Sequence, residues 1–353
     1  MRSQAGAQIS AIITIFIFQI NVNIIKIMRT AFIYNDIFRN SIFGKNHPVT
    51  INRVSNVFDL SKIIKFEKID YLLSDLASNE ELSIFHDKDY IKVLRKTEAS
   101  QKISYFDSIR YNIGSPSNPI FKEMYKRHAA STGCLLSASK LILENKYNLI
   151  FSPGSGAHHG QKNKASGFCY FNDIATAILF LKESGIRKIL YFDMDAHYGD
   201  GVVESFKGDK NILTISIHQE DLWPRSGEYL FKKDVINIPV KAGFDDVGFK
   251  NLIRNKLLDQ MKDFNPEVAF LQMGADCLKD DYMSKLLLSN NSMSYIIKVI
   301  KNLSEKIIVM GGGGYNPWIT IRAWTYNLAT LAGETKSLKI NKKAKDFLNN
   351  IKY

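Results

Sequence analysis

The segment YFDMDAHYGDGV, residues 191–202, leads from an apolar run into a turn that is crowded with ionisable side chains. The preceding residues are almost all apolar, as in a strand that is buried on both faces of a parallel sheet. Because strand side chains two residues apart point to the same face, Asp193, Asp195 and His197 share one face. Carboxylates that are buried together need a cation or hydrogen-bond donors. The segment therefore predicts either a hydrogen-bonded strand end or a metal site at the end of a buried strand.

The same pattern, an apolar run that stops in a polar or glycine-rich turn, recurs along the chain. It occupies residues 147–160, 187–201, 211–219, 235–243, 266–281 and 305–317. Between these runs lie stretches with the apolar spacing of helices, such as residues 171–185 and 248–264. Alternating strands and helices predict an α/β fold, a single doubly wound domain around a central, mainly parallel sheet. Ligands bind such sheets beyond the carboxyl ends of the strands.

Residues capable of chemistry follow four of these predicted strands. They are His158 and His159, then Asp195 and His197, then Asp276, and finally Tyr315. A catalytic zinc site commonly takes three protein ligands and leaves one position open. Asp195 and His197 supply two ligands that suit a divalent transition metal, and Asp276 is the best third candidate. The sequence thus predicts a catalytic metal site at one edge of the sheet.

The motif GSGAHHG, residues 154–160, places two adjacent histidines in a glycine-rich loop. Such a pair is either structural or, beside a metal, a proton shuttle with an electrostatic partner. Each imidazole would then need a carboxylate to orient it, and Asp193 and Asp200 are left over from metal binding. The catalytic interpretation therefore uses His158, His159 and both of these aspartates.

Two further loops and one rim residue carry aromatic side chains. The motif GGGGYNP, residues 311–317, lacks the spacing of a phosphate-binding loop. We expect it to present the Tyr315 hydroxyl to a developing oxyanion, with a buried core tyrosine as the alternative. In ASGFCYFND, residues 165–173, Phe168 is positioned either to line a channel for an aliphatic chain or to pack in the core. Trp223, in a later loop, is a candidate for the rim of the same channel.

The composition is that of an ordinary globular protein and says little about binding partners. The chain has 353 residues, 45% of them hydrophobic, and a net charge of +12, yet it has no basic block that would predict specific nucleic-acid binding. An acidic partner is the alternative explanation of the charge. The three cysteines, Cys134, Cys169 and Cys277, lie far apart, which argues against a disulfide framework and against a thiolate zinc site. We therefore expect a protein of a reducing compartment, the cytoplasm.

The N-terminal segment has a different character. Residues 11–18, AIITIFIF, form an apolar run that is shorter than the about 20 residues of a membrane helix, and no small-residue cleavage site follows. We interpret residues 1–27 as an apolar extension, either dispensable or preceding the true start, and residues 28–353 as the catalytic domain. The alternative is a leader that associates with a membrane through residues 9–27. No stable membrane insertion is predicted.

Six motifs in a fixed order carry a family resemblance over roughly residues 28–335. They are GAHHG, GFCYFNDIA, DMDAHYGDG, SIHQ, GADCLKDD and GGGGYN. Together they resemble the zinc-dependent histone deacetylases of the arginase-like fold, a family that includes bacterial acetoin-utilisation proteins and acetylpolyamine amidohydrolases. The resemblance implies a metal-dependent hydrolase that removes an acyl group, first of all acetyl, from an acylated lysine or a small acylated amine.

The resemblance also implies a role for each matching residue. The implied zinc ligands are Asp195, His197 and Asp276, with iron(II) as an alternative metal. The implied catalytic residues are His159 as general base and acid, His158 as support for transition-state charge, their partners Asp193 and Asp200, and Tyr315 at the substrate carbonyl. The implied substrate-binding residues are Gly167, Phe168, Trp223, Met283 and Gly313, and a structural potassium ion is implied at Asp193, Asp195, His197 and Ser216. Arg53 matches an arginine at the inner end of the pocket, and Asp107 is the candidate for a surface aspartate that grips the substrate backbone.

Departures from the family pattern leave the substrate open. Met283 stands where polyamine-selective members carry an acidic residue, so the sequence disfavours an acetylpolyamine substrate without removing it as an alternative. Tyr198 replaces a second histidine after the zinc ligand and leaves the ligands intact. The segment DAHYGD also matches manganese ureohydrolases, and a non-catalytic acyl-group reader is the third alternative. The sequence gives no prediction of the oligomeric state.

Overall fold

The computed structural model of the protein describes residues 29–44, 47–49, 52–336 and 338–351. The predictions for residues 1–27, an extension or a membrane-associated leader, lie outside this part of the chain. The domain boundary at residue 28 therefore stays a prediction. Among the described residues, no helix is long and apolar enough to cross a membrane. The three cysteines are free and buried.

A nine-stranded sheet forms the centre of the described structure. Its strands are β1 Thr30–Tyr34, β2 Ile69–Leu73, β3 Leu149–Ser152, β4 Ile189–Asp193, β5 Ile212–Gln219, β6 Leu230–Phe231, β7 Val235–Val240, β8 Val268–Gln272 and β9 Lys306–Met310. Across the sheet they run in the order β2-β1-β3-β9-β8-β4-β5-β7-β6. All neighbouring pairs are parallel except the antiparallel pair of β6 with β7. The predicted α/β fold with a mainly parallel sheet is confirmed.

The helices between the strands pack in two groups, as expected when helices cover both faces of a sheet. They are α1 Ile37–Asn40, α2 Arg53–Ile64, α3 Asn79–Leu82, α4 Lys88–Ser100, α5 Tyr105–Tyr111, α6 Met124–Leu143, α7 Asp173–Glu183, α8 Asp200–Phe206, α9 Asp246–Leu252, α10 Leu258–Phe264, α11 Asn290–Lys301, α12 Pro317–Ala332 and α13 Lys342–Asn349. One group joins α6, α7 and α8, and the other joins α2, α11, α12 and α13.

The two helices predicted from apolar spacing differ in regularity. Helix α7 is continuous, and the side chain of Asn172 caps it by accepting a hydrogen bond from the Ala175 amide at 2.9 Å. The segment 248–264 instead contains α9, a π-helical turn at Ile253–Leu257 and α10. Both apolar faces are still buried, because Phe249, Leu257 and their neighbours lie in the core.

Strands β3, β9, β8 and β4 are adjacent in the middle of the sheet. Nearly all of their residues are buried, which explains their continuous apolar sequences. Because the four strands are parallel, their carboxyl ends meet at one edge. The Trp324 indole nitrogen donates a hydrogen bond to the carbonyl of Met273 at 2.8 Å and so ties α12 to the end of β8.

Candidate active site

The residues that the sequence singled out follow these four central strands. His158 and His159 follow β3, Asp195 and His197 follow β4, Asp276 follows β8, and Tyr315 follows β9. All six side chains are buried, none more than 6% exposed. The edge of the sheet therefore holds six chemically active groups that the solvent scarcely reaches.

Asp195, His197 and Asp276 form a compact group whose potential ligand atoms lie within 4.8 Å of one another. The Nδ1 atom of His197 is 2.9 Å from Oδ2 of Asp276 and 3.1 Å from Oδ1 of Asp195. Burial, and then the neighbouring Asp195 carboxylate, raise the pKa of Asp276 to about 7. Burial disfavours the charged form of His197, but the two carboxylates outweigh it and raise its pKa to about 10.

Two buried carboxylates, 3.1 and 2.9 Å from one imidazole nitrogen, need a positive charge among them. Two carboxylate oxygens and one imidazole nitrogen suit a divalent cation such as zinc, which would supply that charge. The residues present therefore fit a catalytic metal held by Asp195, His197 and Asp276.

Backbone amides hold the two carboxylates of this group in place. The amide of Gly313 donates to Oδ2 of Asp195 at 2.7 Å, and the amide of Ala196 donates to Oδ1 of Asp276 at 3.0 Å. A Cβ atom on Gly313 would lie 2.0 Å from Oδ2 of Asp276, so this position requires glycine. Gly313, predicted as a substrate contact, thus packs against Asp195 and Asp276 and fixes their carboxylates.

Each histidine of the GAHHG motif has its own carboxylate. His158 Nδ1 lies 2.8 Å from Oδ2 of Asp193, and His159 Nδ1 lies 2.6 Å from Oδ1 of Asp200. The Tyr191 hydroxyl donates to the same Oδ2 atom of Asp193 at 2.6 Å. The structure therefore brings together both predicted pairs and adds a phenol behind one of them.

The two histidines differ in charge. Burial disfavours the protonated form of His158, but Asp193 and then Asp195 outweigh it and raise its pKa to about 9. Burial, and then the positive charge of His158, lower the pKa of His159 to about 4. These shifts favour a protonated His158 beside a neutral His159 that can accept a proton.

Tyr315 lines the same cavity as this pair. Burial, followed by the charges of Asp276 and Asp195, raises the pKa of its phenol well above the usual value, so the hydroxyl stays a donor. Arg53 lies behind it: its Nη1 donates to the Gly314 carbonyl at 2.7 Å, and its guanidinium carbon is 5.9 Å from the centre of the Tyr315 ring.

A tunnel of about 400 Å³ reaches the site from the surface between aromatic walls. Phe168 and Trp223 line it, and Met283 lies at its side. The Trp223 ring centre is 4.6 Å from that of His159. Gly167 packs against both rings, since a Cβ there would lie 2.5 Å from the Trp223 ring and 2.6 Å from the His159 ring. Four of the five predicted substrate-binding residues therefore share one channel, whereas Gly313 lines the adjoining cavity.

Two buried aspartates that the sequence reasoning missed position these loops. Asp173 accepts hydrogen bonds from the amides of Gly156 and Ala157 at 3.0 and 2.9 Å and from the Ser131 hydroxyl. Asp281 accepts a hydrogen bond from the amide of Tyr315 in the same way. Their signal was faint, because an aspartate in the first turn of a helix or in the run KDD is ordinarily a capping or surface residue.

Two other predicted positions, Asp107 and Ser216, have hydrogen-bond partners of their own. Asp107 is in α5, where its carboxylate accepts from the Ser104 hydroxyl at 2.8 Å, and it is not among the residues that line the tunnel. Ser216 is the register partner of Asp193 on the neighbouring strand, and its hydroxyl lies 3.0 Å from Nδ1 of His218.

Comparison with known proteins agrees with this geometry. A family model described as "Histone deacetylase domain" matches residues 47–331. The chain is 32% identical to acetoin utilization protein AcuC of Bacillus subtilis over 310 residues, which cover 84% of this chain and 80% of that protein. It is 30% identical to histone deacetylase clr6 of Schizosaccharomyces pombe over 315 residues, 87% of this chain and 77% of that protein.

Solved structures are similar over nearly the whole chain. The structure of an HDAC homolog complexed with SAHA gives a TM-score of 0.84 at 34% identity and covers 92% of this chain and 90% of that chain. The structure of an HDAC homolog from Aquifex aeolicus gives a TM-score of 0.83 at 34% identity with the same coverage.

Proposed function

Because the chain belongs to the histone deacetylase family and is thus a deacetylase hydrolase, we propose that it is a zinc-dependent amidohydrolase acting on an acylated amine such as acetyl-lysine. One observation carries the proposal. Two adjacent histidines, each oriented by its own aspartate, lie beside a buried Asp–His–Asp group at the end of an aromatic tunnel.

Asp195, His197 and Asp276 would hold the zinc ion, and iron(II) suits the same ligands. When bound, the cation would supply Lewis acidity at the acyl carbonyl and acidify a water beside it. We also propose that Asp193, Asp195, His197 and Ser216 surround a structural potassium ion, as the family resemblance implies. The pairing of Asp193 with Ser216 across β4 and β5 supports this second site.

His159 is the proton carrier. Its Nδ1–H donates to Asp200, so Nε2 carries a lone pair that can take a proton from the attacking water. The same nitrogen then returns the proton to the leaving amine. His158, charged and paired with Asp193, stabilises the negative charge that builds up on the substrate.

Tyr315 supplies the electrophilic contact. Its phenol stays protonated, so it can donate a hydrogen bond to the acyl oxygen as that oxygen gains charge. The Asp281 carboxylate accepts from the Tyr315 and Asn316 amides at 2.7 and 2.9 Å and fixes the loop that carries the ring.

The alternatives have less support. The described residues that line the tunnel include no carboxylate to attract a polyamine. A manganese ureohydrolase needs carboxylates for a second metal ion, whereas the described residues form one candidate group of three ligands. A non-catalytic protein that only binds acyl groups would not need two oriented histidines. Free, buried cysteines agree with the proposed cytoplasmic location.

A substrate panel tests the proposal. Purified full-length protein, loaded with zinc, is incubated with an acetyl-lysine peptide, acetylputrescine and arginine, and amine or urea release is measured. We expect turnover of the peptide that a chelator abolishes and added zinc restores. Faster release from acetylputrescine would favour the polyamine alternative, urea would favour the ureohydrolase, and no release would favour the reader.

A further inference from the structure

Behind the metal group lies a second cavity of about 90 Å³, which is room for several non-hydrogen atoms when one water needs ~10–15 Å³ by the same measure. It shares His159, His197 and Tyr315 with the entrance tunnel. An acylated lysine that enters through the tunnel places its carbonyl at these shared residues. The rest of its acyl group must therefore extend into the inner cavity.

Two arginines, Arg53 and Arg127, line this inner cavity. Arg127 is 8% exposed, and its Nη1 donates to the Ser41 carbonyl at 2.7 Å. Its guanidinium carbon lies 5.5 and 5.4 Å from the ring centres of Phe38 and Phe43. The Nε atom of Arg53 is buried and has no hydrogen-bond partner among the described residues. The Arg53 guanidinium thus keeps a donor that no described protein group uses.

No carboxylate compensates these two cations within the described part of the chain. Neither arginine forms an ion pair within 4.0 Å of a described aspartate or glutamate. Asp195 is the one acidic residue among those that line the cavity, and it is taken by the metal group. The residues outside the described ranges contain no aspartate or glutamate at all.

Such an arrangement is costly unless an anion completes it. Burial, and then the charge of Arg53, lower the pKa of Arg127 to about 10, so the side chain stays protonated at neutral pH. A buried cation without a counter-charge is unfavourable, and guanidinium groups match carboxylates with paired hydrogen bonds.

Building on the proposed function, we infer that the inner cavity accepts an acyl group that ends in a carboxylate, such as succinyl, with Arg127 and Arg53 as its receptors. Hydrolysis then follows the same course as for acetyl. The water oxygen bonds to the acyl carbon, the carbon–nitrogen bond breaks, a proton moves to the lysine amine, and a dicarboxylate leaves. Arg127 is a specificity residue and takes no part in the bond changes.

A matched pair of peptides tests this inference. One carries succinyl-lysine, and the other carries the neutral amide of the same acyl chain, succinamoyl-lysine, on an identical fluorescent peptide. The ratio of kcat/KM for the two is measured with the zinc-loaded full-length protein. The ratio of Kd is measured by fluorescence anisotropy with Tyr315→Phe, which releases no product, so that any preference comes from the intact acyl chain and not from a free carboxylic acid.

We expect both ratios to favour succinyl by at least ~10-fold, the effect of about one charged hydrogen bond. Arg127→Gln should bring both ratios close to one, and Arg127→Lys should leave an intermediate preference. Arg39→Gln is the control, because Arg39 pairs with Asp59 and does not line the cavity, and it should leave the ratios unchanged.

The outcomes separate this inference from the proposed function. A Kd ratio near one overturns the inference even if acetyl-lysine is hydrolysed well. A preference that survives Arg127→Gln in a variant that melts like the wild type overturns the role of Arg127. A strong preference in Kd without hydrolysis of any peptide supports the inference and contradicts the proposed function.

Discussion

The Nδ1 atom of His159 lies 2.6 Å from Oδ1 of Asp200, and this contact determines which ring nitrogen can exchange a proton with the substrate. An aspartate accepts only, so Nδ1 carries the hydrogen and Nε2 is free. His158, next in the chain and 3.9 Å away between ring centres, has the same arrangement with Asp193 but keeps its proton. The difference in charge between two adjacent histidines is the basis of the proposed mechanism.

Asp200→Asn should therefore impair catalysis without dismantling the site. The amide can donate to Nδ1 and stabilise the wrong tautomer of His159, which leaves Nε2 unable to accept a proton. We expect kcat on an acetyl-lysine peptide to fall by roughly 10²-fold or more with KM little changed, the range of general base catalysis. Asp259→Asn, at a side chain that is 84% exposed, is the matched control and should keep full activity. Equal activity of both variants would contradict the assignment.

Gly313→Ala should weaken metal binding. The new methyl group would lie 2.0 Å from Oδ2 of Asp276 and 2.9 Å from Oδ2 of Asp195. We expect zinc affinity, measured by competition with a chromogenic chelator, to fall by roughly 10- to 100-fold, as when ligand orientation is lost. Gly208→Ala, which strains the backbone at φ +90° but whose methyl group would meet no atom within 4 Å, controls for general destabilisation. Unchanged zinc affinity in Gly313→Ala would show that the metal lies elsewhere.

Asp281→Ala should affect Tyr315 and spare the metal. The carboxylate accepts from the amides of Tyr315 and Asn316, and also from Met283 at 3.0 Å. Its loss frees the loop that aims the phenol, so we expect kcat to fall by about 10-fold or more. Zinc affinity should match the wild type. If the double variant with Tyr315→Phe loses the product of the two single effects, Asp281 does not act through Tyr315.

His86 should make stability depend on pH. Its Nδ1 donates to the Lys162 carbonyl at 3.0 Å and its Nε2 accepts from the Asn172 amide at 2.8 Å, so the contact of Nε2 requires the neutral ring. Burial lowers its pKa from 6.5 to about 3. Below pH 6.5 the unfolded chain binds a proton that the folded chain does not, so stability falls as pH falls through that window.

The measurement is urea unfolding of the wild type and of His86→Gln from pH 7.5 to 5. The difference between their free energies of unfolding should be constant above pH 6.5 and should shrink by ~1.4 kcal/mol per pH unit below it. Parallel curves throughout the range would mean that His86 is not held neutral.

The fold could be predicted from the sequence because the central strands are buried on both faces and therefore have continuous apolar sequences. Strand β6, with two residues, is too short to leave such a pattern, and the π-helical turn within 248–264 keeps the apolar spacing of an ordinary helix. The metal group and histidine pairs were predictable because strand periodicity and parallel packing put them at one edge. The burial of Arg127 could not be predicted, because a lysine or arginine on a helix is usually exposed. Only the packing of α6 against Phe38 and Phe43 buries this side chain.

The hydrolytic chemistry itself is best tested by the fate of solvent oxygen. Zinc-loaded wild-type protein is incubated with an acetyl-lysine peptide in water enriched in oxygen-18, and mass spectrometry follows both products. We predict one oxygen-18 atom in each acetate formed during the first turnovers, an equal amount of free lysine peptide, and loss of both products in His159→Ala and Tyr315→Phe. Acetate without the label, or undiminished release in both variants, would contradict water attack assisted by His159 and Tyr315.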